Sequence, residues 1–196
     1  MSKILYVVDM QADFMPFDES KLGVPGADAT IEPYNEVLRN LDPNEVTFVL
    51  VSEDCHAADF VERMPDGTPF PAHCVVNTPG QKTIVDLDAI NPGIPVFVIR
   101  KNAFDVFEEP TLAVVDYRTK AVLPITRDAL FADALASGLK DVELGGVTSD
   151  ICVNKAGKGL LDRGFNVTVR RACTKGLFRE IDQVNAEDWG GRATLI

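Results

Sequence analysis

The chain has only two histidines, and both lie in one short window beside an aspartate. His56 belongs to the run S-E-D-C-H at 52–56, and His73 to the run F-P-A-H-C at 70–74. Asp54 and His56 are two positions apart, so on an extended segment their side chains project to the same side. Imidazole nitrogens and a carboxylate together suit zinc and other first-row divalent ions. We predict a metal site at Asp54, His56 and His73; the alternative is a pair of loop histidines in ordinary hydrogen bonds.

The predicted site has three protein ligands, which leaves positions open for water or substrate. Such openness is typical of a catalytic rather than a purely structural metal centre. Either Asp66 or Glu62 can supply a fourth ligand, and the sequence does not choose between them. It does not name the metal either, because mixed nitrogen and oxygen sites accept several ions.

A candidate nucleophile, Cys152, follows the run L-G-G-V-T-S-D-I. The glycines allow a sharp exit from a strand, and Ser149 or Asp150 can cap a helix that begins there. In the first helical turn, unpaired backbone N–H groups and the helix dipole favour a thiolate and can bind the oxyanion of an attacked carbonyl. The alternative is a buried, inert helix cysteine.

Asp9 and Lys101 also stand at the ends of apolar runs. Lys101 closes V-F-V-I-R-K, and because side chains alternate along a strand, Arg100 and Lys101 cannot both face one crevice. A lysine beside Cys152 would stabilise the thiolate, while Asp9 would take the thiol proton and later deliver it to a leaving amine. The alternatives are a solvated strand end for Lys101 and a cap of a helix or turn for Asp9.

The elements that position these residues are indicated by apolar runs rich in Val, Ile and Leu. They predict six strands buried on both faces, at 3–8, 46–51, 95–100, 141–146, 166–170 and 193–196. Helical patterns alternate with them at 29–41, 127–139 and 149–164. We therefore predict an α/β fold with a doubly wound, mainly parallel six-stranded Rossmann-like sheet and helices on both faces.

In such a sheet, ligands bind beyond the carboxyl ends of the strands. Asp9, Asp54, Lys101 and Cys152 all follow predicted strands and should meet at that edge. One segment, 105–126, can form either a further helix or a hairpin.

Length and composition narrow the class of protein. With 196 residues, 46% hydrophobic and 25% charged, the chain is expected to fold as one domain over 1–196. A net charge of −11 repels phosphate backbones and anionic bilayers, so neither nucleic acid nor membrane is an expected partner. The first apolar run is too short for a signal peptide, and four separated cysteines predict free thiols in a cytoplasmic protein.

Five ordered motifs resemble those of the isochorismatase-like cysteine hydrolases, and most of all the nicotinamidases. The motifs are V-V-D-M-Q-A-D-F-M (7–15), E-D-C-H (53–56), F-P-A-H-C-V-V-N-T-P-G (70–80), K-N-A-F-D-V-F (101–107) and G-V-T-S-D-I-C-V (146–153). The resemblance implies a triad of Asp9, Lys101 and Cys152. Cys152 would attack nicotinamide, release ammonia and leave a thioester that water hydrolyses to nicotinate.

The resemblance also implies how a small amide substrate is bound. A divalent ion, zinc first with manganese or iron as alternatives, would sit on Asp54, His56 and His73 and bind the pyridine nitrogen. The further implied parts are an oxyanion hole from the N–H groups of Thr148 and Cys152, a cis peptide between Val147 and Thr148, and flanking rings from Phe14 and Phe70.

Two other functions remain open from the sequence. A related amidase would use the same triad on another small amide, and a catalytically silent binding or scaffold protein would keep only the fold. A homo-oligomer is expected by analogy with the family.

Overall fold

The computed structural model describes residues 2–63, 67–109 and 111–196, in which eight strands form one sheet. The strands are β1 (Lys3–Val8), β2 (Val46–Asp54), β3 (Val96–Lys101), β4 (Ala113–Asp116), β5 (Val122–Thr126), β6 (Asp141–Val147), β7 (Asn166–Lys175) and β8 (Thr194–Leu195). Their order across the sheet is β5-β4-β3-β2-β1-β6-β7-β8. The six predicted strands are all present and run parallel to one another.

The prediction of six strands is wrong, because residues 113–126 add an antiparallel hairpin, β4–β5, at the edge beside β3. Its turn is held by Asp116, whose Oδ1 accepts hydrogen bonds from the N–H and the hydroxyl of Thr119 at 2.7 and 2.9 Å. Arg118 also donates from Nη1 to the carbonyl of Ile94 at 2.8 Å. This last contact is tertiary, so periodicity within 105–126 could not distinguish a hairpin from a helix.

Helices cover both faces of the sheet, as predicted. They are α1 (Ile31–Arg39), α2 (Arg127–Ala136), α3 (Cys152–Asp162) and α4 (Ile181–Glu187). Helix α1 packs on one face, and α2, α3 and α4 pack on the other, each face with its own buried apolar cluster. Within the described ranges, no helix combines the length and apolar character needed to cross a membrane.

Strand β1 lies between β2 and β6: the chain places β2 to β5 on one side of β1 and β6 to β8 on the other. The carboxyl ends of β1 and β6 therefore flank the crevice in which ligands bind in sheets of this type. Gly146 permits this close approach: its φ is +132°, and a Cβ there would lie 1.9 Å from the carbonyl oxygen of Val8. The residues that follow β1 and β6 are thereby brought side by side.

Glu143 lies at the opposite side of the sheet, near the amino-terminal ends of the strands, and binds two cationic side chains. Its carboxylate accepts hydrogen bonds from Lys3 Nζ at 2.8 Å and from Arg170 Nε and Nη2 at 3.0 and 2.8 Å, and its side chain is 7% exposed. Burial favours the protonated acid, but the hydrogen bonds from Lys3 and Arg170 outweigh burial and lower the pKa of Glu143.

We predict that Glu143→Gln lowers the free energy of unfolding by about 1 to 2 kcal/mol at neutral pH, because charge-assisted hydrogen bonds are lost. A lowered folded-state pKa gives stability that is present above the unfolded pKa and is lost as pH falls through the folded pKa. The deficit measured by urea unfolding should therefore shrink at a pH of about 3. Glu36→Gln, at an exposed position near the same edge, is the control and should be neutral; an equal Glu143→Gln deficit at both pH values would refute the assignment.

Candidate active site

The four predicted residues that follow strands do meet at the carboxyl edge of the sheet. Asp9 follows β1, Asp54 and Lys101 end β2 and β3 as directly paired neighbours, and Cys152 is the first residue of α3. All four side chains are buried. The parallel register of the strands thus assembles two carboxylates, an ammonium group and a thiol out of contact with bulk water.

Lys101 lies at the centre of this group. Its Nζ is 2.9 Å from Asp9 Oδ2 and 3.6 Å from Cys152 Sγ, and it forms a short ion pair with Asp54 Oδ1. Arg100 points to the other side, where its Nε is 3.2 Å from Glu53 Oε2. Strand alternation therefore places Lys101 inside the crevice and Arg100 on the surface.

The protonation states of these groups are set by burial and mutual contact. Burial raises the pKa of the Cys152 thiol well above its ordinary value. The Lys101 ammonium group lowers this pKa, whereas the Asp9 and Asp54 carboxylates raise it. Burial also raises the pKa of Asp9, although Lys101 counteracts it. For Lys101, burial disfavours the charge, but Asp54 and Asp9 outweigh burial and raise the pKa.

The position of Cys152 at a helix terminus predicts a thiolate, whereas burial raises its pKa more than Lys101 lowers it, which favours a protonated thiol. A carboxylate of raised pKa next to a protonated thiol is suited to accept the thiol proton during a reaction.

The second predicted group, Asp54, His56 and His73, is also assembled. Asp54 Oδ2 lies 3.8 Å from His56 Nε2 and 4.0 Å from His73 Nε2, and one ligand atom from each residue lies within 4.8 Å of the other two. The His73 ring is oriented by its Nδ1, 2.8 Å from the carbonyl oxygen of Pro71, so that Nε2 faces Asp54. The Phe60 ring stacks on the His56 ring, with centroids 4.6 Å apart.

These residues fit a divalent metal ion. Both ring nitrogens of His56 are buried without a hydrogen-bond partner among the described residues. An ion bound at Nε2 would give one of these nitrogens a partner. The Nδ1 contact of His73 to a backbone carbonyl is the arrangement that fixes ligand histidines in metal sites. Of the two candidates for a fourth ligand, Glu62 is buried with Oε2 3.4 Å from His73 Nε2, and Asp66 lies outside the described residues.

The turn between β6 and α3 has the predicted cis peptide, which joins Val147 to Thr148. The prediction that Ser149 or Asp150 caps α3 is wrong. The Ser149 hydroxyl donates to the carbonyl of Arg179 at 2.7 Å, and the Asp150 carboxylate accepts the N–H groups of residues 177–179 at 2.7 to 3.0 Å. Both side chains are engaged by a distant loop, so they tie that loop to the start of α3 instead.

A narrow cavity of about 20 Å³, enough for a water molecule, lies between the two groups. Its lining includes the predicted Phe14, Phe70 and Thr148, and Phe104, which the sequence argument missed. The Phe70 ring centroid is 5.7 Å from that of Phe104, and the Phe14 centroid is 5.4 Å from that of His73. The side chain of Val147 does not reach the cavity but packs in the apolar cluster beneath α1, so only its backbone can contribute to the site.

With the geometry established, comparison with known proteins identifies the family. A family model, the Isochorismatase domain, matches residues 3–187. The chain belongs to the isochorismatase family. This confirms the resemblance found in the sequence motifs. No curated protein matches the chain.

Solved structures similar to this isochorismatase-family chain include amidases. The pyrazinamidase of Pyrococcus horikoshii, in complex with zinc, is 26% identical with a TM-score of 0.74, covering 100% of this chain and 99% of its own. PnC1 from L. infantum, in complex with nicotinate, is 21% identical with a TM-score of 0.72, covering 100% and 92%. N-carbamoylsarcosine amidase from Thermoplasma acidophilum is 23% identical with a TM-score of 0.66, covering 100% and 95%. The last two similarities show the fold alone.

Two buried polar residues that the sequence argument missed hold the site of this isochorismatase-family chain in place. Ser52 Oγ donates to Asp9 Oδ1 at 2.6 Å. Gln11 binds both backbone groups of Asp54: its Oε1 accepts from the N–H at 2.7 Å, and its Nε2 donates to the carbonyl at 2.9 Å and to the carbonyl of Gln81 at 2.8 Å. The available signal was a polar side chain next to the apolar run of β2, for Ser52, or three residues after the run of β1, for Gln11.

We predict that Gln11→Met, which keeps the length of the side chain but not its hydrogen bonds, lowers the free energy of unfolding by about 2 to 4 kcal/mol. The physical reason is that buried N–H and C=O groups of Asp54 and Gln81 lose their partners. Gln183→Met makes the same substitution at an exposed position of α4 and should change stability by less than about 0.5 kcal/mol. Chemical denaturation measures both, and equal effects of the two substitutions would contradict the role of Gln11.

Proposed function

We propose that this isochorismatase-family protein is a metal-dependent amidase that hydrolyses nicotinamide to nicotinate and ammonia. The observation that carries the proposal is the position of Asp54, which has one carboxylate oxygen towards Lys101 and the other towards His56 and His73. A nucleophile group and a metal-ligand group therefore share one residue and one cavity. The zinc bound by the similar Pyrococcus horikoshii pyrazinamidase supports the same interpretation.

In the proposed reaction, Asp9 accepts the thiol proton and Cys152 Sγ attacks the amide carbonyl carbon, forming a C–S bond. The ammonium group of Lys101 stabilises the transient thiolate, and the N–H groups of Thr148 and Cys152 bind the oxyanion. Asp9 then protonates the leaving nitrogen, the C–N bond breaks and ammonia departs. Water hydrolyses the thioester, which releases the carboxylate product and restores the thiol.

The proposed metal would be held by Asp54, His56 and His73, with Glu62 as a candidate fourth ligand. Zinc is the first choice, and manganese and iron are the alternatives, because nitrogen and oxygen ligands accept all three. When bound, the ion supplies an electrophile for the ring nitrogen of a pyridine. The apolar rings that line the narrow cavity would have to separate to admit such a flat heterocycle, and would then hold it in one orientation.

We predict that the purified, zinc-loaded protein releases ammonia from nicotinamide and that Cys152→Ala lowers the rate by at least about 10³-fold, because no thioester can form. Cys173→Ala is the matched control: Cys173 is also buried, but on β7 outside the cavity, where burial raises its thiol pKa to about 12. This variant should keep the activity of the wild type.

Benzamide, which lacks the ring nitrogen, is the matched control substrate and should react much more slowly than nicotinamide. Pyrazinamide retains that nitrogen and should behave like nicotinamide. Nicotinamide left intact by folded, zinc-loaded protein would overturn the assignment, and ammonia release from a different amide in the same assay would redirect it.

A further inference from the structure

The carboxylate of Asp54 contacts a cation on the side that faces away from the two histidines. Oδ2 faces the two histidines, and Oδ1 faces the ammonium group of Lys101. Around that ammonium group, ligand atoms of Asp9, Asp54 and Cys152 all lie within 4.8 Å of one another, the same condition that the histidine group meets. The site thus contains two adjacent cages of potential metal ligands that share one carboxylate.

The cage around Lys101 has the donor set of a metal site. A thiolate and two carboxylates bind zinc-like ions at about 2.0 to 2.3 Å, and all three side chains are buried, which removes competing water. Lys101 Nζ already occupies this cage, at 2.9 Å from Asp9 Oδ2 and 3.6 Å from Cys152 Sγ. It donates hydrogen bonds to Asp54 Oδ1 and Cys152 Sγ and forms an ion pair with Asp9 Oδ2, so it contacts the same three side chains that an ion would bind.

We propose that the Lys101 ammonium group is a built-in cation that keeps divalent metal ions off the Cys152 sulfur, and that its removal creates a second metal site on Asp9, Asp54 and Cys152. Metal binding there requires loss of the thiol proton to solvent and formation of a metal–sulfur bond, which ties up the lone pair that a nucleophile needs. Asp54 would then bridge two ions, as carboxylates do in dinuclear centres. The ligand class is a divalent cation with affinity for thiolate, such as Zn²⁺ or Co²⁺. This role of Lys101 does not depend on the identity of the amide substrate.

The test is titration of the metal-free protein with Co²⁺, followed by near-ultraviolet absorption. Cobalt bound to a thiolate gives a sulfur-to-cobalt charge-transfer band, whereas cobalt bound to the nitrogen and oxygen ligands of the histidine cage gives none. We expect no band for the wild type, even with excess Co²⁺. Lys101→Met, whose side chain is one atom shorter and carries no charge, should gain the band and bind about one additional equivalent of Co²⁺.

The control combines Lys101→Met with Cys152→Ser and should lose the band, which excludes ligation by the other cysteines. Circular dichroism verifies folding, since two buried carboxylates lose their partner. If Lys101→Met does not fold, Lys101→Gln is measured in its place, because its amide still donates hydrogen bonds to those carboxylates. A band in the wild type, its absence in the folded neutral variant, or its persistence without Cys152 overturns the proposal. None of these outcomes depends on whether nicotinamide is hydrolysed.

Discussion

The rest of the site depends on the ion pairs that the buried ammonium group of Lys101 forms with Asp9 and Asp54. A charge that is 1% exposed is stable only with opposite charges at contact distance, and removing one partner of such a pair typically costs about 3 to 5 kcal/mol. Asp9 and Asp54 supply those charges because β1, β2 and β3 run parallel and end at the same level. Val8 pairs with Ser52, and Asp54 pairs with Lys101. The register of the sheet therefore determines which charged side chains meet, and so it also sets the charge balance of the site.

The irregular segments that close the cavity depend on side chains that bind backbone groups. Asp13 Oδ2 accepts the N–H of Cys74 at 2.8 Å, next to His73, and its Oδ1 accepts the N–H of Lys21 at 3.1 Å. Asp150 holds the loop at 177–179, whose Leu177 lines the cavity. Carboxylates beside the functional residues thus give long loops defined positions where no strand or helix does.

Much of the site could be predicted because four of its functional residues lie at the end of an apolar run or within a few positions after it. Asp9, Asp54, Lys101 and Cys152 all follow this rule, and parallel strands bring such positions together. The alternation of side chains also showed that only one of Arg100 and Lys101 could face inward. Pairing with β2 decided which one.

What the sequence could not give are contacts between distant positions. Gln11 and Ser52 each bind a residue 43 positions away, so their roles depend on how β1 and β2 are aligned. Ser149 and Asp150 looked like helix caps because local spacing allowed it, and only the packed loop at 177–179 shows their true partners. The hairpin β4–β5 was undecided for the same reason.

The most direct test of the central claim, that the Asp54 carboxylate serves two cations at once, compares Asp54→Asn with His56→Gln. Zinc content and the free energy of unfolding of the metal-free protein are measured for both. Both variants should lose zinc, but only Asp54→Asn should also destabilise the metal-free protein, by about 3 kcal/mol, because Lys101 loses a buried counter-charge. Equal metal-free stabilities of the two variants, or full zinc binding by Asp54→Asn, would contradict the account.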